Sequence, residues 1–104
     1  MCGIAGYIGE TKNPFDCLTK MAQAINHRGP DSNGIWTDQE GIGLAHTRLS
    51  ILDLSAAGHQ PMHSVSGNYV LIFNGEIYNH KHLRSELESI SNRNWLGHSD
   101  TETL

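Results

Sequence analysis

The chain begins MCGIAGYIG, and a cysteine directly after the initiator methionine is open to two readings. One is a small buried hydrophobe in a first strand, the ordinary fate of a lone cysteine. The other is chemical. Methionine is cleaved readily when a small residue follows it, and its loss would leave Cys2 with a free α-amine beside its thiol. Such an amine titrates near ~7.7–8.0 and can act as a base at neutral pH. The thiol, near ~8.5, is only slightly ionised there and gains from a base built into the same residue. Nucleophile and base in one residue need no histidine. Cys17, within a helical pattern and without such a pairing, reads as structural.

Two further stretches carry polar groups that could serve that chemistry. In YVLIFNGEIYNH, residues 69–80, an apolar run delivers Asn74 and Gly75 at its end, where a side-chain amide and an exposed backbone N–H can converge. Two such donors make an oxyanion hole, in which losing one donor costs about 3–4 kcal/mol in one known hydrolase. Asn-Gly alone reads as a hairpin turn, but GEIYNH leads into a helical pattern and not into a return strand. In LAHTRLSILD, residues 44–53, Arg48 sits within an apolar strand pattern. A guanidinium there needs a partner or a cleft, and its planar fork suits a carboxylate. The competing reading is an exposed arginine on a half-solvated strand, since His46, Arg48 and Ser50 alternate with apolar neighbours.

The seven histidines raise the question of metal. None forms an HxxxH pair on a helix supported by a carboxylate, and His59 and His63 flank Pro61 in a loop without cysteines nearby. No metal site is expected. No GxxxxGK[ST] phosphate loop is present either.

The elements that must position these residues follow from periodicity. Residues 3–8 read as a strand. Pro14 opens a helix with Phe15, Leu18, Met21, Ala22 and Ile25 at i, i+3, i+4 spacing, ending near His27-Arg28-Gly29-Pro30. RGPDSNG is a loop. Ile35–Thr37 and Ile42–Ile51 form a strand pair about a polar turn at residues 38–41. Residues 52–62 are irregular. Tyr69–Phe73 reads as a buried strand, and a second helix spans about His82–Ile90, with Leu83, Leu87 and Ile90 on one face and Arg84, Glu86 and Glu88 outward. Ser99 and Asp100 ahead of Thr and Glu read as the start of another helix. With barely a turn before Leu104, the chain reads as part of a longer protein.

At 104 residues the chain suits one small domain burying ~60–70 % of its unfolded surface. A net charge of −4 gives no basic stripe for nucleic acid. No apolar run approaches the ~20 residues of a membrane span, and the start is not that of a signal peptide. Two cysteines make no disulfide framework, so a reducing cytoplasm is the expected setting.

Taken in order, MCGIAGYIG (1–9), HRGPDSNG (27–34), AHTRLSILDLS (45–55), GHQP (58–61), FNGEIYNH (73–80) and SDTETL (99–104) resemble the class II glutamine amidotransferase domain of the N-terminal nucleophile (Ntn) hydrolases. RLSILD, GHQP and NGEIYNH are most similar to glutamine-hydrolysing asparagine synthetases, and WLGHSDTETL also resembles synthetase-like proteins of bacterial cell-surface polysaccharide pathways. The resemblance implies an α+β fold, the N-terminal half of a four-layer αββα sandwich with mainly antiparallel strands. Residues 1–104 would be the type 2 amidotransferase domain, truncated at its C-terminal side. It implies that Cys2, freed of Met1, attacks the side-chain amide of glutamine, with the oxyanion held by the Asn74 side chain and the Gly75 N–H. Arg48 would grip the substrate's α-carboxylate, Glu76 and Asp100 its α-ammonium, and the backbone near Ile51 and Leu52 would line the pocket. Ammonia would pass to the missing C-terminal synthetase domain, which would bind ATP and Mg²⁺ and make asparagine from aspartate. Amidation of a sugar acid and a catalytically inactive fragment are the alternatives. No cofactor is expected within these residues, and exposed strand edges would allow pairing into a homodimer.

Overall fold

A computed structural model describes residues 1–50 and 55–104. Three antiparallel strands, β1 (Gly3–Ile8), β2 (Ser32–Thr37) and β3 (Ile42–Arg48), form a sheet in the order β1-β3-β2. Register aligns Gly3 with Thr47 and Ile4 with His46 on one side of β3, and Gly34 with His46 and Ser32 with Arg48 on the other. Because side chains alternate across a strand, Ala45 and Thr47 face one way while Leu44, His46 and Arg48 face the other.

The first face is covered by α1 (Pro14–Ala24), which starts on a proline and carries Asp16 in its first turn, both favourable at a helix N-terminus. Its Leu18 and Ala22 bury against Ala45, with Ala5, Tyr7, Met21 and Ile35 packed around them. As the spacing predicts, the helix starts at Pro14, but it ends at Ala24 and the chain tightens into a 3₁₀ turn over Asn26–Arg28. The Thr47 hydroxyl donates to the Ile25 carbonyl at 3.2 Å, tying that end to β3.

The β2–β3 hairpin turns where expected. The Asp38 carboxylate accepts from the N–H groups of Glu40, Gly41 and Ile42 at 2.9, 3.0 and 2.8 Å, which holds its carboxyl below the usual range, the Ile42 bond contributing most. Two boundaries differ from the sequence expectation. β2 begins at Ser32, within the expected RGPDSNG loop. β3 stops at Arg48 because the next N–H groups leave the ladder: Leu49 N–H points to Cys2 Sγ and Ser50 N–H to Asp31. Ile51, the expected strand end, and residues 52–54 lie outside the described residues.

The second face of the sheet receives residues 59–63 and a small hairpin of β4 (Met62–His63) with β5 (Val70–Leu71). Trp36 of β2 and His63 of β4 meet edge-on with ring centroids 6.3 Å apart. A Cβ on Gly34 would collide with the Gln60 carbonyl, so glycine is what lets the two layers approach there. The expected buried strand Tyr69–Phe73 is reduced to two paired residues, with Tyr69 exposed. Its only ladder partner among the described residues is β4, and two residues of pairing cannot bury an apolar run on both faces.

α2 (His80–Ile90) follows, with Leu83 and Leu87 half-buried and Ile90 exposed. α3 (Asp100–Thr103) is capped by the Ser99 hydroxyl, which accepts from Glu102 N–H at 3.2 Å. Arg84 departs from its expected outward position: its side chain is 12 % exposed and turns into the α2–α3 junction. The described part is therefore α+β with antiparallel sheets, a helix on one face of the main sheet and strands on the other.

Candidate active site

Cys2 sits one residue before β1, at the end of the sheet where β3 terminates. Its side chain is half-buried, and its sulfur accepts from Leu49 N–H at 3.3 Å and lies 3.6 Å from the Leu49 carbonyl. Arg28 Nε donates to the Cys2 carbonyl at 3.1 Å, anchoring the backbone that carries the thiol. The nitrogen of Cys2 is here a peptide nitrogen joined to Met1, which is exposed. Both cysteines are free thiols.

The pleat places Cys2 on the same face as His46 and Arg48. Arg48 is half-buried, and its Nη1 donates to the Ser55 carbonyl at 2.8 Å. The loop before β2 closes against the same edge: Asp31 N–H bonds to the Arg48 carbonyl at 3.0 Å, and the Asp31 carboxylate accepts from Ser50 N–H at 2.7 Å. Sequence reasoning assigns no role to Asp31 or Arg28, since nothing local distinguishes them from ordinary loop charges.

Asn74, Gly75 and Glu76 lie on one segment, to which Asp100 is joined through Ile77. Residues 73–79 continue into α2 and make no return strand, so Asn74-Gly75 is not a hairpin turn. Gly75 is exposed, and a Cβ there would meet the Phe73 ring at 2.7 Å. Asp100 is buried at the start of α3, and its carboxylate accepts from Ile77 N–H at 2.8 Å, which fixes the segment beyond Glu76. Glu76 itself is exposed. Gln60, buried, joins these pieces: Oε1 accepts from Phe73 N–H at 2.6 Å and Nε2 donates to the Thr101 hydroxyl at 3.3 Å. Gln60 escapes sequence reasoning as an individual residue. Its one signal is a long amide beside a proline, whose partners lie 13 and 41 residues away.

His46, on the same face of β3 as Arg48, is 1 % exposed. Neither ring nitrogen makes a hydrogen bond among the described residues. The Phe73 backbone lies near the ring without reaching hydrogen-bond geometry. Burial pushes the histidine below its ordinary value, with His59 and Arg48 acting in the same direction and the Phe73 backbone opposing them. The Phe73 backbone therefore lies beside His46, on the sheet face that also carries Cys2 and Arg48. Ile51 and Leu52, expected to line the pocket, lie outside the described residues. Among the described residues no three His, Cys, Asp or Glu side chains are grouped to hold a metal ion. No described helix is long and apolar enough to cross a membrane.

The sheet end thus carries a half-buried thiol and a guanidinium on one face, and a buried carboxylate is joined through Ile77 N–H to the segment that follows Asn74-Gly75. The family model described as a glutamine amidotransferase domain matches residues 1–104. The asparagine synthetase [glutamine-hydrolyzing] 1 of Bacillus subtilis is 41 % identical over 109 residues, covering all of this chain and 17 % of that protein. Asparagine synthetase B of Escherichia coli is 42 % identical over 89 residues, covering 83 % of this chain and 16 % of that protein. The amidase chry2 of Gibberella zeae is 36 % identical over 117 residues, again across the whole chain and 17 % of that protein. The chain thus spans less than a fifth of these relatives' length.

Proposed function

The chain belongs to the glutamine amidotransferase domain family, and on that premise we propose that it hydrolyses the side-chain amide of glutamine to supply ammonia. The observation that carries this reading is the position of Cys2: its sulfur is hydrogen-bonded at the end of the β1–β3 pair, on the Arg48 face of the sheet. Removal of Met1 converts the Cys2 peptide nitrogen into an amine. That amine takes the thiol proton, through a water, as the sulfur attacks the amide carbon. The Asn74 amide and Gly75 N–H receive the charge on the amide oxygen, the interaction that lowers the barrier most in such reactions. The proton returns to the leaving nitrogen, ammonia departs and a γ-glutamyl thioester stays on Cys2. Water activated by the same amine releases glutamate.

Arg48 binds the α-carboxylate, and Asp100 with Glu76 the α-ammonium. Opposite charges at opposite ends orient the zwitterion so that only its side-chain amide reaches the sulfur. The Ile51 and Leu52 backbone completes the pocket in this reading. The domain organisation proposed is the first half of an Ntn-type αββα sandwich, continued beyond Leu104 and joined to a synthetase domain. ATP and Mg²⁺ belong to that synthetase step, with aspartate as acceptor. A cytoplasmic setting suits a catalytic free thiol.

The amidase relative chry2 favours a second reading on the acceptor side alone. Chry2 aligns with the whole chain as the Bacillus subtilis synthetase does, and in this second reading the acceptor, a sugar acid included, is chosen by residues outside this chain. The test is glutamine hydrolysis by the intact protein with Met1 removal verified by mass. Cys2→Ala lowers kcat by at least about a thousandfold, while Cys17→Ala stays within about threefold of wild type. Comparable losses in both variants, or full activity with Met1 retained, would overturn the assignment.

A further inference from the structure

The periodicity of α2 directs Arg84 to solvent, yet it is among the most fully engaged side chains of the molecule. Its Nε donates to the Thr103 hydroxyl at 2.8 Å, Nη1 to the Gly97 carbonyl at 2.8 Å and Nη2 to the Ser99 carbonyl at 2.7 Å. Nη2 also lies 3.4 Å from Glu102 Oε2, with the two side chains only 12 % and 15 % exposed. The Trp95 ring covers the guanidinium at 4.3 Å, and the Trp95 indole N–H donates to Glu88 at 2.6 Å. Glu102 in turn accepts from the N–H groups of Leu96 and Gly97. One planar fork therefore ties α2 to both the loop before α3 and α3 itself.

The residue inside this clamp is Asp100. Ser99, whose carbonyl Arg84 holds, precedes it directly, and Thr103, whose hydroxyl Arg84 holds, closes the same turn. We propose that Arg84 is a positioning residue for the substrate's ammonium group: it sets Asp100, whose carboxylate meets Ile77 N–H beside Glu76, without touching substrate itself. The proposal rests on the reading of Asp100 as an ammonium partner. Asp100 is the first residue of α3, and the fork holds both the residue before it and the far end of its turn, which sets where its carboxylate stands. Lysine cannot replace the fork, because a single ammonium cannot span carbonyl, hydroxyl and carboxylate partners while stacking on an indole.

The experiment compares glutamine with 4-carbamoylbutanoate, which is glutamine lacking the α-ammonium, in the intact protein. Arg84→Lys is expected to raise KM for glutamine about tenfold and to change kcat by less than about threefold. It should leave kcat/KM for 4-carbamoylbutanoate near the wild-type value. Placed in an Asp100→Asn background, it should add no further loss, because both changes remove one interaction. Equal losses on both substrates, or full additivity with Asp100→Asn, would show a merely structural role and overturn the proposal. A wild-type KM in Asp100→Asn alone would instead overturn the ammonium-site reading, and the proposal with it. Should Arg84→Lys not fold, Glu102→Gln removes the charge that orients the guanidinium and takes its place. A KM rise confined to glutamine then supports the proposal, and equal losses on both substrates overturn it.

Discussion

A buried histidine without a hydrogen-bond partner is tolerated only as the neutral ring, because a charge there would be neither hydrated nor paired. Among the described residues His46 is in that position, and burial lowers its tendency to ionise, with His59 and Arg48 adding to it and the Phe73 backbone opposing them. In the unfolded chain the same residue takes up a proton near its ordinary ~6.5. Between that value and its lower folded one, the unfolded state binds more protons, so stability falls as pH falls. The slope from one such group is at most about 1.4 kcal/mol per pH unit. Urea denaturation across pH ~5–8 should therefore show stability declining below about pH 6.5, and His46→Leu should flatten that decline relative to wild type. An unchanged slope in the variant would assign the effect to other groups. Asp38 also acts in the acid direction, but its depressed carboxyl loses its contribution only as pH falls through and below the usual carboxylate range, clear of the histidine window. The alternation that puts His46 opposite Ala45 and Thr47 was legible in the sequence. Its burial was not, since the cover arrives from residues 59–73.

At the scale of elements, local pattern served best where an element is stabilised by its own neighbours. The start of α1 at its proline, the Asp38 turn and the Ser99 cap of α3 all rest on contacts within about four residues. The failures share one feature. β3 ends early because two backbone N–H groups find Cys2 and Asp31 instead of a ladder partner, and Tyr69–Phe73 pairs over only two residues. Both outcomes depend on segments distant in the chain. The contact between β2 and the Gln60 segment is the most exacting of these long-range fits. Gly34→Ala must push the Gln60 backbone and the His59 ring away, and is expected to cost about 1–3 kcal/mol as overpacking. It should also reduce glutamine hydrolysis, since Gln60 holds both Phe73 and Thr101. Asn33→Ala, at the exposed neighbouring position, should stay within about 0.5 kcal/mol. Equal midpoints in urea for both variants would show that the layers do not meet tightly at Gly34.

For the molecule as a whole, apolar burial is concentrated between α1 and the sheet. Leu18 is fully buried there, whereas Ile8 at the end of β1 is 92 % exposed. Leu18→Ala should accordingly cost about 2–5 kcal/mol, and Ile8→Lys less than about 0.5 kcal/mol, as read from urea midpoints at constant m. A reversed order would mean that stability resides elsewhere. Sequence alone determined the helices, the hairpin and the family that its motifs resemble, because these are carried by residue type and short spacing; the role proposed for Asp100 comes with that resemblance. Tertiary structure alone decided that Arg84 turns inward as a clamp, that Gln60 joins the segment after β5 to α3, and that His46 is sealed between layers. Each of those outcomes is set by a partner many residues away, and only packing of the layers brings the partners together.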